Sequence, residues 1–527
     1  MKDTENLFRL IKSMSVGEKA YFKKYTYMQG GHKDKSNLYM KMFELLDAQE
    51  HYDAEKLVKK LTQKNPKFHL PTSKNYLSGI IMRSLRHYNA LDKPETEIRQ
   101  LIEDTQIYIE KGFRKQAIKN LQKAIKLSQH HERYDLLLEA YVLEIRLIIS
   151  DKHEYENREL AYQRRKKTID TISDIIELQW LRRKMFLEIY VHSGGEIRTE
   201  EDQQHLQAIL EHPLLQNEGK GLAPQARLYY YSLFSFYYRA INKREKSCEY
   251  LIESMNFFKQ HPHFKKVFER LYLSMYYNLL LTLSMLYRFE QFDGYMAEFR
   301  QFATTEEPKA SPRLRSTLFS FYLLEIDKCN RSADYNRGVE VVESIAEKLK
   351  EYESLIEERK LNDFYFQINL IYFAKNEYKI CLDWLNRLVN ADNTKYLNVN
   401  KYFVTRLLRI IIHFELNTFS ILGHMIKSTD RALHQEEKPM RFEATLIKYL
   451  RKIINLRDRP HIKEVLLKLR DEVIEIVKDP KEGLVLEYFD FISWLDSKIE
   501  NRPFAEIRKE KVAAIIENNG TTEENRE

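Results

Sequence analysis

The sequence is short of the residues that make tight turns. Its 527 positions hold 14 glycines and 12 prolines, about 5% together where average proteins carry roughly 12%. Few positions can enter a left-handed turn without cost, which disfavours β-hairpin sandwiches, collagen-like repeats and glycine-rich phosphate loops. Long helices joined by short turns fit better. Cysteine is scarcer still: Cys248, Cys329 and Cys381 stand 81 and 52 residues apart, outside any CxxC or Cys/His ligand spacing. They read as small buried apolar side chains in a reducing compartment, not as a disulfide framework. The stretch from Leu7 to Ile11 is broken by Arg9 and followed by Lys12, too short and too charged for a signal-peptide core. Long apolar runs are also missing. The nearest to one, Leu271 to Tyr287, is seventeen residues without a charge, barely the lower limit for a membrane span, and it carries Asn278, Thr282 and four tyrosines. It reads as a buried helix, so the expectation is a cytoplasmic protein with no membrane span.

What is present describes an ordered chain, 43% hydrophobic and 31% charged, long enough for several cores or one continuous stack. The net charge of +8 is unevenly placed: residues 1–94 hold 18 Lys/Arg against 10 Asp/Glu, and the rest of the chain balances to zero. Within that balanced part, residues 401–470 hold 15 basic against 7 acidic side chains. Two readings stay open for these basic regions, ordinary solvated helix faces or contact with acidic protein, nucleic acid or membrane headgroups.

Motifs that carry chemistry are absent. No GxGxxG, Walker A or GxSxG occurs, so neither a backbone phosphate cradle nor a nucleophile elbow is expected. His131-Glu132 and His153-Glu154 lack the second histidine of an HExxH zinc site. His130-His131 and His261-Pro262-His263 have no carboxylate or thiol nearby in sequence and read as turn chemistry. Glu343, Glu347 and Glu351 follow an i, i+4, i+8 spacing, an acidic face of one helix. The expectation is no catalytic residue, no metal and no cofactor.

Hydrophobic spacing is helical nearly everywhere; Ala117, Leu121, Ala124 and Ile125 share one helix face. Breakers at Asp92-Lys93-Pro94, Gly194-Gly195, Gly219-Lys220-Gly221, Pro262, Pro308 with Pro312, Pro439, Pro460, Pro480 and Pro503 cut the chain into similar pieces. Helix pairs are expected to start near residues 94, 131, 178, 222, 263, 311, 354, 395, 438 and 482, a period that marks a helical solenoid.

Leu101, Tyr108, Gly112, Ala117, Leu121 and Ala124 resemble positions 4, 11, 15, 20, 24 and 27 of a tetratricopeptide repeat. Weaker copies run through Tyr231, Tyr238, Ser247, Leu251 and Ser254, through Tyr365, Tyr372, Cys381, Leu385 and Leu388, and through Leu279, Leu283, Leu286, Tyr295, Phe299 and Phe302. These copies lack the family's Trp and its Leu-Gly pair, and their period exceeds 34. The resemblance, that of a degenerate tetratricopeptide-like array, covers roughly residues 94–517. It implies an all-α fold, a right-handed α-solenoid of TPR-like helix pairs with a helical N-terminal module. It also implies binding of a protein or peptide on the concave side, where first-helix positions 2, 5, 9 and 12 are Tyr229, Ser232, Phe236 and Arg239. Arg239 between aromatics could grip a carboxylate or phosphate.

Residues 1–93 fall outside that register and form a basic helical module, with helices expected at Leu7–Met14, Glu18–Met28, Asn37–Ala48 and Ser73–Asn89. Leu10 to Tyr25 is similar to the opening of long bacterial helical-repeat proteins, a resemblance that brings no activity. Ser15 and Glu18 read as a capping box starting a helix that carries Lys19 and Lys23 on one side. Asn518-Asn519-Gly520 is expected to stop the last helix, leaving residues 518–527 as a disordered acidic tail. The function expected is that of a non-enzymatic scaffold or adaptor. The alternative is a regulator whose N-terminal module contacts nucleic acid through Lys19, Lys23, Lys24, Lys33 and Lys35 while the solenoid senses a protein or peptide ligand.

Overall fold

The computed structural model describes residues 2–28, 33–62, 69–90, 94–148, 154–189, 197, 200–306, 312–353, 356–389, 399–435, 441–456 and 459–524. Among them the chain is α-helical with short turns and contains no strand. It divides into two compact units, Met1–Asp174 and Ile175–Glu527, and the division falls inside helix Glu154–Leu187. That helix runs through residue 178, where a new pair was expected, because no glycine or proline interrupts it.

In the first unit, helices Lys2–Ser13, Val16–Met28, Lys33–Asp47, Ala54–Thr62 and Leu70–Ala90 close around Ile11, Phe22, Phe43, Leu46 and Leu77. The capping box is formed: the Ser15 N–H donates to Glu18 Oε2 at 2.7 Å, and the Glu18 N–H donates to Ser15 Oγ at 3.2 Å. These bonds satisfy N–H groups that the first turn of Val16–Met28 cannot. A second core follows in helices Pro94–Glu110, Arg114–His130 and Tyr134–Ile148, each packed on the next. Ile98 and Ile102 meet Ala117, Leu121 and Ala124 there, and the two alanines are fully buried, as their shared helix face requires.

The second unit contains successive helix pairs: Pro224–Ala240 with Arg244–Gln260, Glu269–Met285 with Phe289–Glu306, Phe321–Arg331 with Tyr335–Tyr352, Glu358–Ala374 with Tyr378–Val389, and Val399–Glu415 with Phe419–His434. The first helix of every pair ends in the same turn. The N–H groups of Lys243, Arg288, Asp334, Glu377 and Thr418 donate to the carbonyls of Tyr238, Leu283, Cys329, Tyr372 and His413 at 2.8 to 3.0 Å. The residue before each donor is left-handed: Asn242, Tyr287, Ala333, Asn376 and Asn417, at φ 54° to 60°. This is the Schellman closure of a helix C-terminus. It recurs at intervals of 45, 46, 43 and 41 residues. Scarce glycine therefore does not mean scarce left-handed turns. Asparagine, whose short side chain tolerates this conformation, takes three of the five positions, and Gly112 (φ 79°) holds the equivalent turn in the first unit.

Apolar residues fill the space between these helices. Leu279, Leu280 and Leu283 are fully buried in Glu269–Met285, the helix that holds most of the uncharged run from Leu271 to Tyr287. No helix among the described residues is long and apolar enough to cross a membrane. Cys248, Cys329 and Cys381 are buried and free. The last helix, Phe504–Glu524, continues through Asn518-Asn519-Gly520 instead of stopping there; a glycine lowers helix stability by about 1 kcal/mol without forbidding it. The breakers Asp92-Lys93, Gly194-Gly195, Pro308 and Pro439, and the starts expected near 395 and 438, lie outside the described residues.

Candidate functional site

The first helices of consecutive pairs are tied side by side by polar side chains. Arg239 Nη1 donates to Asn278 Oδ1 at 2.9 Å. One helix further, Ser284 Oγ donates to Asp327 Oδ2 at 2.8 Å. Asn330 Nδ2 then donates to the Gln367 carbonyl at 2.9 Å and to Gln367 Oε1 at 2.7 Å, and Lys401 pairs with Asp363. Each bond joins residues 37 to 43 positions apart. Ser284, Asp327 and Asn330 are themselves buried, so removing the partner of one leaves a desolvated donor or acceptor, at about 1–3 kcal/mol.

The four residues expected in a groove stand at the start of this row. Tyr229 Oη accepts from Gln179 Nε2 at 2.9 Å, and Ser232 Oγ accepts from Arg182 Nε at 3.0 Å. Phe236 is buried, with Phe186 and the Arg182 and Arg239 guanidinium groups within 5.5 to 6.2 Å of its ring centre. The four do share one face, and that face is engaged by the helices on either side of Pro224–Ala240.

Farther along the row the chain returns to it. Helix Pro480–Gly483 is followed by the 3₁₀ turn Leu484–Glu487, and this irregular segment lays Tyr488 6.4 Å from Phe366 and Phe489 5.0 Å from Phe373. Glu487 is held by two cations from different helix pairs: Oε1 accepts from Arg244 Nη2 at 2.7 Å and Oε2 from Arg331 Nη1 at 3.4 Å. Arg331 Nε also donates to Asp327 Oδ2 at 3.0 Å. Burial alone would raise the Glu487 carboxyl, but Arg244 and Arg331 bring it below the ordinary glutamate value. Beside it Asp490 caps helix Phe491–Glu500 through the Ser493 N–H at 3.0 Å and accepts from Arg508 Nη1 at 2.9 Å and Lys511 Nζ at 2.8 Å. Burial opposes its charge too, yet Lys511, Arg508 and the Ser493 bond pull it down to about 2.

Between this segment and the row lies a cavity of about 250 Å³. Its walls combine the clamp residues with Asn330, Tyr335 and Gln367. Sequence spacing missed this constellation, and nothing local could have found it: Arg244 and Glu487 are 243 residues apart.

The basic N-terminal residues are arranged differently. Lys19, Lys23 and Lys24 all lie on Val16–Met28; Lys19 Nζ is 2.7 Å from Asp47 Oδ1, while Lys23 and Lys24 are exposed. The side chains of Lys33, Lys35 and Glu351 lie outside the described residues. His261 and His263 pack their rings on Phe264. No group of three or more His, Cys, Asp or Glu among the described residues is placed to hold a metal ion. Burial raises the Cys248 thiol to about 11 and the Cys329 thiol to about 12, away from the thiolate a nucleophile needs.

No protein-family model matches this sequence, and no curated protein or solved structure shows significant similarity to it.

Proposed function

We propose that this chain is a non-enzymatic scaffold or adaptor, a tetratricopeptide-like right-handed array of helix pairs. It binds an extended acidic segment of a partner protein along the row of first helices. The recurring turn at Asn242, Tyr287, Ala333, Asn376 and Asn417 supports the repeat reading, because one turn geometry reused every 41 to 46 residues lets each pair bury its apolar face on the next. The observation that carries the binding reading is Glu487. An irregular segment lies on the row with its carboxylate between Arg244 and Arg331 and its aromatic rings on Phe366 and Phe373. Charge-assisted bonds to arginine beside aromatic anchors are what peptide recognition needs. The chain thus supplies, from itself, an example of what its row can hold. Tyr229 and Arg239, both only part-buried, mark the portion where a partner segment would lie.

Photo-crosslinking in cells tests this reading. A photoreactive residue at Tyr229 should give a discrete protein adduct, and the same residue at Glu253, exposed on helix Arg244–Gln260, should give none. The same adduct from both positions, or none from Tyr229, would reject the row as the binding face.

A further inference from the structure

Helices Val16–Met28 and Leu70–Ala90 of the first unit lie side by side, with the Tyr21 and Tyr88 rings 5.4 Å apart and the Tyr25 and His87 rings 5.2 Å apart. Their Lys and Arg residues are Lys19, Lys23, Lys24, Lys74, Arg83 and Arg86; their one carboxylate is Glu18, bound in the capping box. Lys19 is answered by Asp47 from another helix, while Lys23, Lys24, Arg83 and Arg86 are exposed. Apolar side chains stand among these cations. Phe22 and Thr26 turn one side of Val16–Met28 to the core, so positions 16, 20, 23, 24 and 27, spaced i, i+4, i+7, i+8 and i+11, face outward. Tyr27 is 90% exposed, Val16 87% and Met28 83%; among the described residues the next large apolar side chain, Ile176, reaches 58%. Single exposed apolar groups are ordinary. Here the three most exposed share one helix, spread over about 16 Å of its length, with lysines between them.

We propose that the outward face of Val16–Met28, together with Arg83 and Arg86 of the neighbouring helix, docks on the surface of an anionic lipid bilayer. Charge complementarity selects that occupant: four exposed cations, with no carboxylate on either helix left to answer them, meet a layer of negative headgroups. The apolar side chains complete the fit. Val16, Tyr27 and Met28 reach the boundary of the acyl chains, while the Lys23 and Lys24 stems lie along that boundary and carry their ammonium groups back to the phosphates. Nucleic acid would use the same cations but leave Val16 and Met28 in water, because neither side chain has a hydrogen-bonding group or a flat ring for a base. The contact is superficial, in keeping with the lack, among the described residues, of a helix long and apolar enough to cross a membrane. It uses no residue of the row of first helices, so this reading and the scaffold reading fail separately.

Co-sedimentation of the full-length protein with lipid vesicles decides it. Vesicles of phosphatidylcholine mixed with phosphatidylglycerol should bind the protein saturably, and vesicles of phosphatidylcholine alone should bind it more weakly by about tenfold or more. The double variant Val16→Ser, Met28→Ser changes only exposed side chains, so it should melt like the parent and yet lose about tenfold in affinity for the anionic vesicles. The double variant Lys23→Glu, Lys24→Glu should lose about as much or more, and the salt dependence of what binding remains should be shallower than the parent's. No binding to anionic vesicles, equal binding to neutral ones, or full affinity in Val16→Ser, Met28→Ser would overturn the proposal. The last result, joined to binding of an oligonucleotide that the lysine reversal abolishes, would assign the face to nucleic acid instead.

Discussion

Ala117 is fully buried against Pro94–Glu110, in the core that contains Ile98 and Ile102, and a bulkier side chain has no room there. Ala117→Leu should cost roughly 1–3 kcal/mol in chemical denaturation, whereas Lys115→Ala, at an exposed position of the same helix, should lie within about 0.5 kcal/mol of the parent. An Ala117→Leu protein as stable as the parent would mean that the two helices are not in contact at that residue. Asp490 makes a prediction about pH. Its folded value near 2 lies below the roughly 3.9 of an unfolded aspartate, so its charge contributes on the order of 2 kcal/mol that is fully present above about pH 4 and lost as the pH falls toward 2. Asp490→Asn, which can still cap the helix, should be less stable than the parent at pH 7, with the gap closing between pH 4 and 2. A gap that stays constant with pH would mean that the carboxylate is not held by Lys511 and Arg508.

At the scale of elements, the recurring helix-ending turn is the feature that most constrains the fold. Asn376 sits at φ 60°, where a Cβ without a polar side chain costs roughly 1 kcal/mol. Asn376→Ala should therefore destabilise by about that much and Asn376→Gly by little or nothing, in equilibrium denaturation; the reverse order would reject the left-handed assignment. The returning segment is tied to Arg244 and Arg331 through Glu487. Glu487→Gln removes the charge that Arg244 and Arg331 share, and amide exchange at 484–490 should quicken while exchange within Glu358–Ala374 stays slow. Local patterns made much of this legible in advance. Ser15 and Glu18 three residues apart revealed their own capping box, and Ala117, Leu121 and Ala124 revealed their buried face, because both signals lie within a few residues. The left-handed turns escaped notice because a glycine count does not register asparagine in the same role. The clamp escaped because it joins residue 244 to residue 487, and no spacing in a linear sequence encodes which helix pair a returning segment will meet.

At the scale of the molecule, recognition along the row of first helices, with Arg239 in the recognition face, is what we propose. Arg239 bonds to Asn278 and lies over Phe236, so its loss should leave the protein folded, melting within a few degrees of the parent, while removing a cation from the face. The competing reading places recognition on Val16–Met28, where Lys23 and Lys24 are exposed. The most direct measurement is the affinity of the partner crosslinked at Tyr229, titrated against the parent, Arg239→Ala, and the triple reversal of Lys19, Lys23 and Lys24 to Glu. The account predicts weaker binding by about tenfold for Arg239→Ala, the loss of one charge-assisted contact, and unchanged binding for the triple reversal. Full affinity in Arg239→Ala, together with a triple reversal that abolishes a steeply salt-dependent association with nucleic acid, would contradict it.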